Sequence, residues 1–227
     1  MIKYHSRLYH LNEEFFEQWS PTMAYVLGFW FADGYMRKEK SYRIVVVSND
    51  TQVLRAIRNG MESNHPIRKS KLDQSSSIVF HSKRLYEGLT LKGGIRCKSR
   101  LIQFPAVPQK YIRDFIRGYF DGDGSVFFVK YIRTKDRRLT RELRTNFTSG
   151  SRNFLEDLMA VLHREIGLPM KKIGICNAGA SFKLGYGMKD SDTLLHYMYY
   201  QDFLIGLKRN ADFIFKIPTY QKHNMPY

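Results

Sequence analysis

The feature that most restricts how this chain can fold is an internal repeat. Val26-Leu-Gly-Phe-Trp-Phe-Ala-Asp33-Gly34 recurs in outline as Ile116-Arg-Gly-Tyr-Phe-Asp-Gly-Asp123-Gly124, 90 positions on. Downstream, residues 42–48 pair with residues 143–149, and Leu54 with Leu155, both at an offset of 101. Ordered matches of this kind mark a duplicated supersecondary unit. Each copy reads as an apolar helix ending in Asp-Gly, a strand, a turn, a second strand and another helix. Residues 35–39 and 42–48 make the first expected hairpin, and residues 125–132 and 141–149 the second, all rich in the β-branched and aromatic side chains that strands favour. The growth of the offset from 90 to 101 places an insertion of 11 residues in the second hairpin, between Asp123 and Leu143. Further strands are expected at 67–72, 77–81, 171–176 and 180–185, each set followed by a helical stretch.

Pro105 and Pro108 mark the join between the copies, because proline breaks regular structure. The expected fold class is therefore α/β (α+β), with two pseudo-symmetric αββαββα halves. Residues 1–12 read as an N-terminal extension, 13–104 as the first half, 105–110 as a linker, 111–217 as the second half and 218–227 as a tail.

Composition narrows the partner. Lys and Arg number 37 against 21 Asp and Glu, a net charge of +16 with a pI near 9.8, which favours a polyanion. The longest nearly unbroken apolar stretch, residues 23–32, falls short of the roughly 20 residues that span a bilayer. The opening residues lack the apolar core of a secretory signal, so an intracellular location is expected, in a bacterial or archaeal cytoplasm or an organelle. Cys97 and Cys176 stand far apart with no CxxC spacing, which argues against a disulfide framework and a zinc site.

Along the first helix Ala24, Gly28 and Ala32 recur at i, i+4 and i+8, a stripe of minimal side chains on one face. Gly118 and Gly122 repeat the spacing in the second. A glycine inside a helix costs about 1 kcal/mol relative to alanine, and close approach of two backbones compensates it. Packing the stripes together brings Asp33 and Asp123 to a common point, with Gly34 and Gly124 expected as left-handed C′ glycines. Asp-Gly alone is an ordinary turn dipeptide. Two copies, one repeat apart and each at the negative end of a helix dipole, instead call for a cation. Hard oxygen ligands of this number suit Mg²⁺, which combines one or two carboxylates with a phosphate oxygen of the substrate.

At these residues the chain resembles the LAGLIDADG homing endonucleases, in the single-chain form with two motif copies. Gly118-Tyr-Phe-Asp-Gly-Asp-Gly124 matches the motif closely. Gly28-Phe-Trp-Phe-Ala-Asp-Gly34 departs from it by having Phe31 where Asp121 stands in the second copy. The resemblance implies a monomeric, site-specific endonuclease that hydrolyses both strands of a long, pseudo-symmetric DNA site. It implies Asp33 and Asp123 as catalytic metal ligands, with the Ala32 and Gly122 carbonyls completing the coordination of Mg²⁺; Mn²⁺ is expected to substitute, and Ca²⁺ to support binding without cleavage. It also implies a lysine late in each half that stabilises phosphate charge, for which Lys98 and Lys208 are the candidates. Ser48 and Ser149 resemble the polar position that ends the second strand of each hairpin.

The resemblance further implies β-sheet saddles that grip the duplex. Strand alternation then sends Arg43, Val45, Val47, Arg144, Asn146 and Thr148 toward DNA, with Tyr35, Arg37 and Lys40 on the first hairpin. The inserted hairpin adds Lys130, Arg133, Lys135, Arg137, Arg138 and Arg141 as a flexible arm over phosphates. Arg68, Lys69, Lys71, Lys83, Lys171, Lys172 and Lys183 extend the basic track. Two alternatives share the scaffold: an RNA maturase with intron RNA as its partner, and a DNA-binding regulator that has lost the chemistry.

Overall fold

The computed structural model describes residues 8–38, 41–132, 134, 137, 139–207 and 210. Among them the elements run α1 (Pro21–Asp33), β1 (Gly34–Lys38), β2 (Tyr42–Ser48), α2 (Thr51–Gly60), β3 (Arg68–Lys69), β4 (Ser76–His81), α3 (Lys83–Leu91) and a short α4 (Lys98–Leu101). The second set is α5 (Ile112–Asp123), β5 (Gly124–Ile132), β6 (Leu139–Ser149), α6 (Arg152–Ile166), β7 (Gly174–Cys176), β8 (Ser181–Tyr186) and α7 (Met188–Met198). The strands form two four-stranded antiparallel sheets of the same order, β1-β2-β4-β3 and β5-β6-β8-β7. The duplication seen in the sequence is thus a duplication of topology, and no helix among the described residues is long and apolar enough to cross a membrane.

Local chemistry explains the main boundaries. Ser20 caps α1 by accepting a hydrogen bond from the Met23 amide (3.0 Å), and Pro21 occupies the first turn, where no amide is needed. Asp50, Ser82 and Ser151 cap α2, α3 and α6 in the same way. The strand expected at 67–72 shrinks to two residues because the chain turns at Ser70, whose amide donates to the Ser75 carbonyl (2.8 Å). The Ser70 hydroxyl accepts from the Leu72 and Asp73 amides, and the Asp73 carboxylate accepts from Ser75, which together close a turn. The strand expected at 171–176 begins only at Gly174. In the second half the extra residues lengthen the hairpin: β5 and β6 have 9 and 11 residues where β1 and β2 have 5 and 7.

α1 is buried on all sides from Met23 to Phe31, so it lies at the centre of the molecule rather than on a face of it. A single apolar core runs through both halves. Phe31, Phe104, Phe115 and Phe154 pack ring against ring across the join.

Candidate active site

α1 and α5 meet backbone to backbone. A Cβ added to Gly28 would collide with the Phe115 carbonyl and stand 2.9 Å from the Tyr119 amide nitrogen; one on Gly118 would collide with the Tyr25 carbonyl and stand 2.9 Å from the amide nitrogen of Phe29. At the C-terminal end of the pair Gly122 faces Ala32, and its Cβ position is 3.3 Å from Asp33 Oδ2. Ala24 is fully buried farther back. Gly28, Gly118, Gly122 and Ala32 therefore lie in the contact between the two helices. Gly34 and Gly124 are not the left-handed C′ glycines expected: both are extended (φ −106° and −94°). Glycine is required there because a Cβ would run into the Trp30 ring at Gly34 and the Phe120 carbonyl and ring at Gly124.

Asp33 and Asp123 end the two helices at this shared point, each one residue before the first strand of its sheet. Burial, followed by the charge of Asp33, pushes the Asp123 carboxyl up to about 6, with Lys98 opposing the rise. Lys98 is itself nearly buried, and its ammonium donates to the Phe31 and Ala32 carbonyls (2.6 Å each) at the end of α1. It also stands 5.6 Å from the Trp30 ring centroid. Burial lowers its pKa to about 8, while Asp123 and then Asp33 hold it up. The left-handed Cys97 (φ 54°) turns the chain into α4. The Gly150 backbone of the other half presses against the Ser99 carbonyl, closer than any Cβ allows.

The Ala32 carbonyl faces Lys98 and is already engaged by its ammonium, because a buried lysine must satisfy its donors at the nearest carbonyls. No group of three or more His, Cys, Asp or Glu gathers among the described residues. Lys208 lies outside the described residues. Ser48 and Ser149 act locally, since each hydroxyl accepts the amide two residues on (Asp50 and Ser151, both 3.1 Å) and so starts the turn into the next helix.

Strand register sorts the other expected contacts. In the first sheet Tyr35 pairs with Val45, Arg37 with Arg43, and Arg68 with Ser77 next to Val47, all on the face away from the helices. Val45 has that phase but is only 1% exposed, held between Tyr35 and Val79 in the register, so it is not an accessible contact. Arg43, Arg68, His65 and His81 line a cleft of about 400 Å³ on this face, walled by Leu8, Tyr9 and Leu11. In the second sheet Arg144, Asn146, Thr148 and Lys183 share the outward face, opposite the buried Leu143, Thr145 and Phe147. Lys40, Arg133, Lys135 and Arg138 lie outside the described residues, while Arg137 is exposed and Lys71 sits in the exposed turn after β3.

Several expected contacts belong elsewhere. Lys69 pairs with the buried Ser76, which puts it on the helix side of an edge strand. Lys130 pairs with Arg141 in the inward phase of the hairpin, and Arg141 lies 3.8 Å from the Phe128 ring centroid. Lys83 opens α3 and reaches Glu87, and Lys171 pairs with Asp190 of α7 at 3.2 Å, both in the helix layer. Lys172, next to Lys171, is exposed but precedes β7 rather than lying in the sheet. Charge alone carried these assignments, and charge does not encode the face. The outward positions that sequence reasoning misses are Ser77, Val79 and His81 on β4, and Ser125, Phe127, Val129 and Tyr131 on β5. Alternation applied to those strands would have found them.

Sequence reasoning also misses Asp121. It is 2% exposed and accepts from Tyr25 Oη (2.8 Å), Tyr199 Oη, the Leu207 amide (2.7 Å) and Asn210 Nδ2 (2.8 Å). Burial pushes its carboxyl up, and these four donors pull it back down. Beside it the fully buried Arg117 pairs with Asp114 (2.8 Å) and donates to the Met198 and Ile205 carbonyls (2.9 and 3.0 Å).

Residues 110–172 match the family of LAGLIDADG-like domains. A stretch of 73 residues is 38% identical to part of the probable translation initiation factor IF-2 of Thermococcus kodakarensis; it covers 30% of this chain and only 5% of that protein. Among solved structures, the meganuclease I-SmaMI bound to uncleaveable DNA is 14% identical with a TM-score of 0.59, covering 86% of this chain and 87% of its own. The LAGLIDADG meganuclease I-AabMI bound to uncleaved DNA is 11% identical with a TM-score of 0.61 over 86% and 87%. Variants of the homing endonuclease I-DmoI are 18% identical with a TM-score of 0.57 over 88% and 98%. The shared architecture, two sheets around two motif helices in one chain, together with the matched second motif, makes this a protein with a LAGLIDADG-like domain and the LAGLIDADG meganuclease fold.

Proposed function

We propose that the protein is a site-specific DNA endonuclease that hydrolyses one phosphodiester bond in each strand of a long, pseudo-symmetric duplex with the help of a divalent cation. The observation that carries this reading is the pairing of Asp33 and Asp123 at the joined ends of α1 and α5, where burial and the neighbouring charge make an ionised Asp123 costly without a cation. Asp33 and Asp123, with the Gly122 carbonyl, would hold Mg²⁺ or Mn²⁺. The bound ion would supply Lewis acidity toward the scissile phosphate and its attacking water.

The chain's own residues do the rest. Lys98 places a positive charge at the end of α1, where it offsets the two carboxylates and stabilises the charge that develops on phosphate. Tyr35, Arg37 and Arg43 on one sheet, and Arg144, Asn146, Thr148 and Lys183 on the other, meet phosphates and base edges from the faces turned away from the helices. The start of β1 and β5 directly after the acids supports a reading in which cleavage falls between the two DNA-facing sheets.

The test is recovery of a bound sequence from a randomised duplex library, followed by incubation with Mg²⁺ and separately with Ca²⁺. Double-strand cleavage in Mg²⁺, binding without cleavage in Ca²⁺, and loss of cleavage in Asp123→Asn are the expected results. Binding with no nicking in Mg²⁺ would favour the regulator instead.

A further inference from the structure

Asp121 stands at the position that Phe31 holds in the first motif copy, and the two side chains do unlike things. Phe31 packs on Phe115 and Phe154 (ring centroids 5.4 and 6.4 Å away), and its ring tip is 3.5 Å from where a Cβ on Gly93 would stand. Asp121 instead gathers chain segments that are 78 to 96 residues distant in sequence. Each carboxylate oxygen accepts two donors: Oδ1 takes Tyr199 and Asn210, Oδ2 takes Tyr25 and the Leu207 amide. That fills the acceptor capacity of an ionised carboxylate, and hydrogen bonds to a charged acceptor are about twice as strong as neutral ones. Three of the four donors, Tyr199, Leu207 and Asn210, belong to the segment that follows α7, and Arg117 holds the same stretch at Met198, the last residue of α7, and at Ile205. The last turn of α5 thus both carries Asp123 and grips this segment two residues earlier.

We propose that Asp121 is a positioning residue for one of the two strand cleavages: by tying Leu207 and Asn210 to α5 it fixes the end of the second half against the turn of α5 that carries Asp123. The first half has no such carboxylate, since Phe31 replaces it; there Lys98 bonds directly to the end of α1. Loss of Asp121 therefore acts first on the cleavage served by the second half, which supplies three of its four donors, while the fourth, Tyr25, comes from α1. This inference rests on the endonuclease reading above.

The experiment follows supercoiled plasmid carrying the selected target through nicked to linear product, with each strand labelled. Wild-type protein should cut both strands. Asp121→Asn replaces one acceptor oxygen by a donor that faces donors, and Asn210→Ala removes a single donor from the segment. Both should slow the same strand, by about 100-fold for Asp121→Asn, as a misplacement of about 1 Å does. The other strand should be cut within about threefold of the wild-type rate, so that nicked plasmid accumulates while DNA affinity is retained. Equal slowing of both strands, or a loss of cleavage that only follows loss of binding and of thermal stability, would overturn the inference. Should Asp121→Asn fail to fold, Asn210→Ala decides: same-strand nicking supports the role, and an unchanged ratio of strand rates refutes it. Wild-type protein that cuts no bound sequence would overturn the endonuclease reading and this inference with it. Wild-type cutting with unbiased variants would remove the inference alone.

Discussion

The two halves share one strand order, yet each supports its end of the joined helices by different means. In the first half the support is a lysine: Lys98 reaches the Phe31 and Ala32 carbonyls from a short helix introduced by a left-handed residue. In the second it is a carboxylate: Asp121 draws in two tyrosines, a backbone amide and an asparagine. The hairpins differ as well, with β5 and β6 each extending four residues beyond their counterparts. Duplication therefore preserved backbone topology while leaving the side chains of equivalent positions free to diverge. Symmetry of fold is not symmetry of energetics.

The strongest test of that asymmetry substitutes equivalent acids. Asp33→Asn and Asp123→Asn should each reduce double-strand cleavage roughly 1,000-fold or more, about 4 kcal/mol of transition-state stabilisation. Strand-resolved rates show whether the two losses mirror each other. If either variant keeps cutting both strands at wild-type rates, the shared site is not the centre of the chemistry.

Next comes the exchange of what the two motif copies do differently. Phe31→Asp buries a carboxylate where Asp121 has four donors and Phe31 has aromatic rings, and should cost about 3 kcal/mol or more of stability. Chemical denaturation would measure it. A small loss would show that the first half can improvise the network that the second half has built.

A third prediction sets stability against chemistry at Asp123. Its folded-state pKa, about 6, lies above the ordinary 3.8, so the ionised group destabilises the metal-free fold as pH rises through that window. Asp123→Asn should therefore stabilise the chelator-treated protein by about 3 kcal/mol at pH 8, with the gain shrinking below pH 6 and nearly absent near pH 4. Melting curves across that range would show it, and a gain independent of pH would contradict the assigned cause. The smallest effect belongs to the sheets. Arg144→Ala on the long hairpin and Arg43→Ala on the short one should each weaken DNA binding by about 1 kcal/mol and reduce the salt dependence by about one phosphate contact. Titrations at several ionic strengths would reveal whether the longer hairpin carries more of the affinity.

Much of the architecture is legible in the residues. The repeat locates both hairpins, and the spacing of Gly28 with that of Gly118 and Gly122 points to a close helix contact, because both depend on local periodicity. Alternation also orients Arg144, Asn146 and Thr148. What escapes is set by partners distant along the chain. Nothing near Asp121 announces that Tyr25, Tyr199 and Asn210 converge on it, and nothing near Gly34 reveals that the Trp30 ring, rather than a left-handed turn, demands glycine. Lys69, Lys130 and Arg141 defeat an assignment by charge because a basic side chain in a strand belongs to whichever face the register gives it. Val45 has the expected phase, but its neighbours in the sheet shield it.

The close crossing of Gly150 and Ser99 carries a practical consequence. The peptide that bears Lys98 leans on a turn contributed by the opposite repeat, so the halves are not interchangeable cassettes. A chimera that borrows one sheet from another protein would inherit that sheet intact and still lose the brace behind Lys98. Recombination of such proteins must carry that turn across the graft together with the strands it was chosen for.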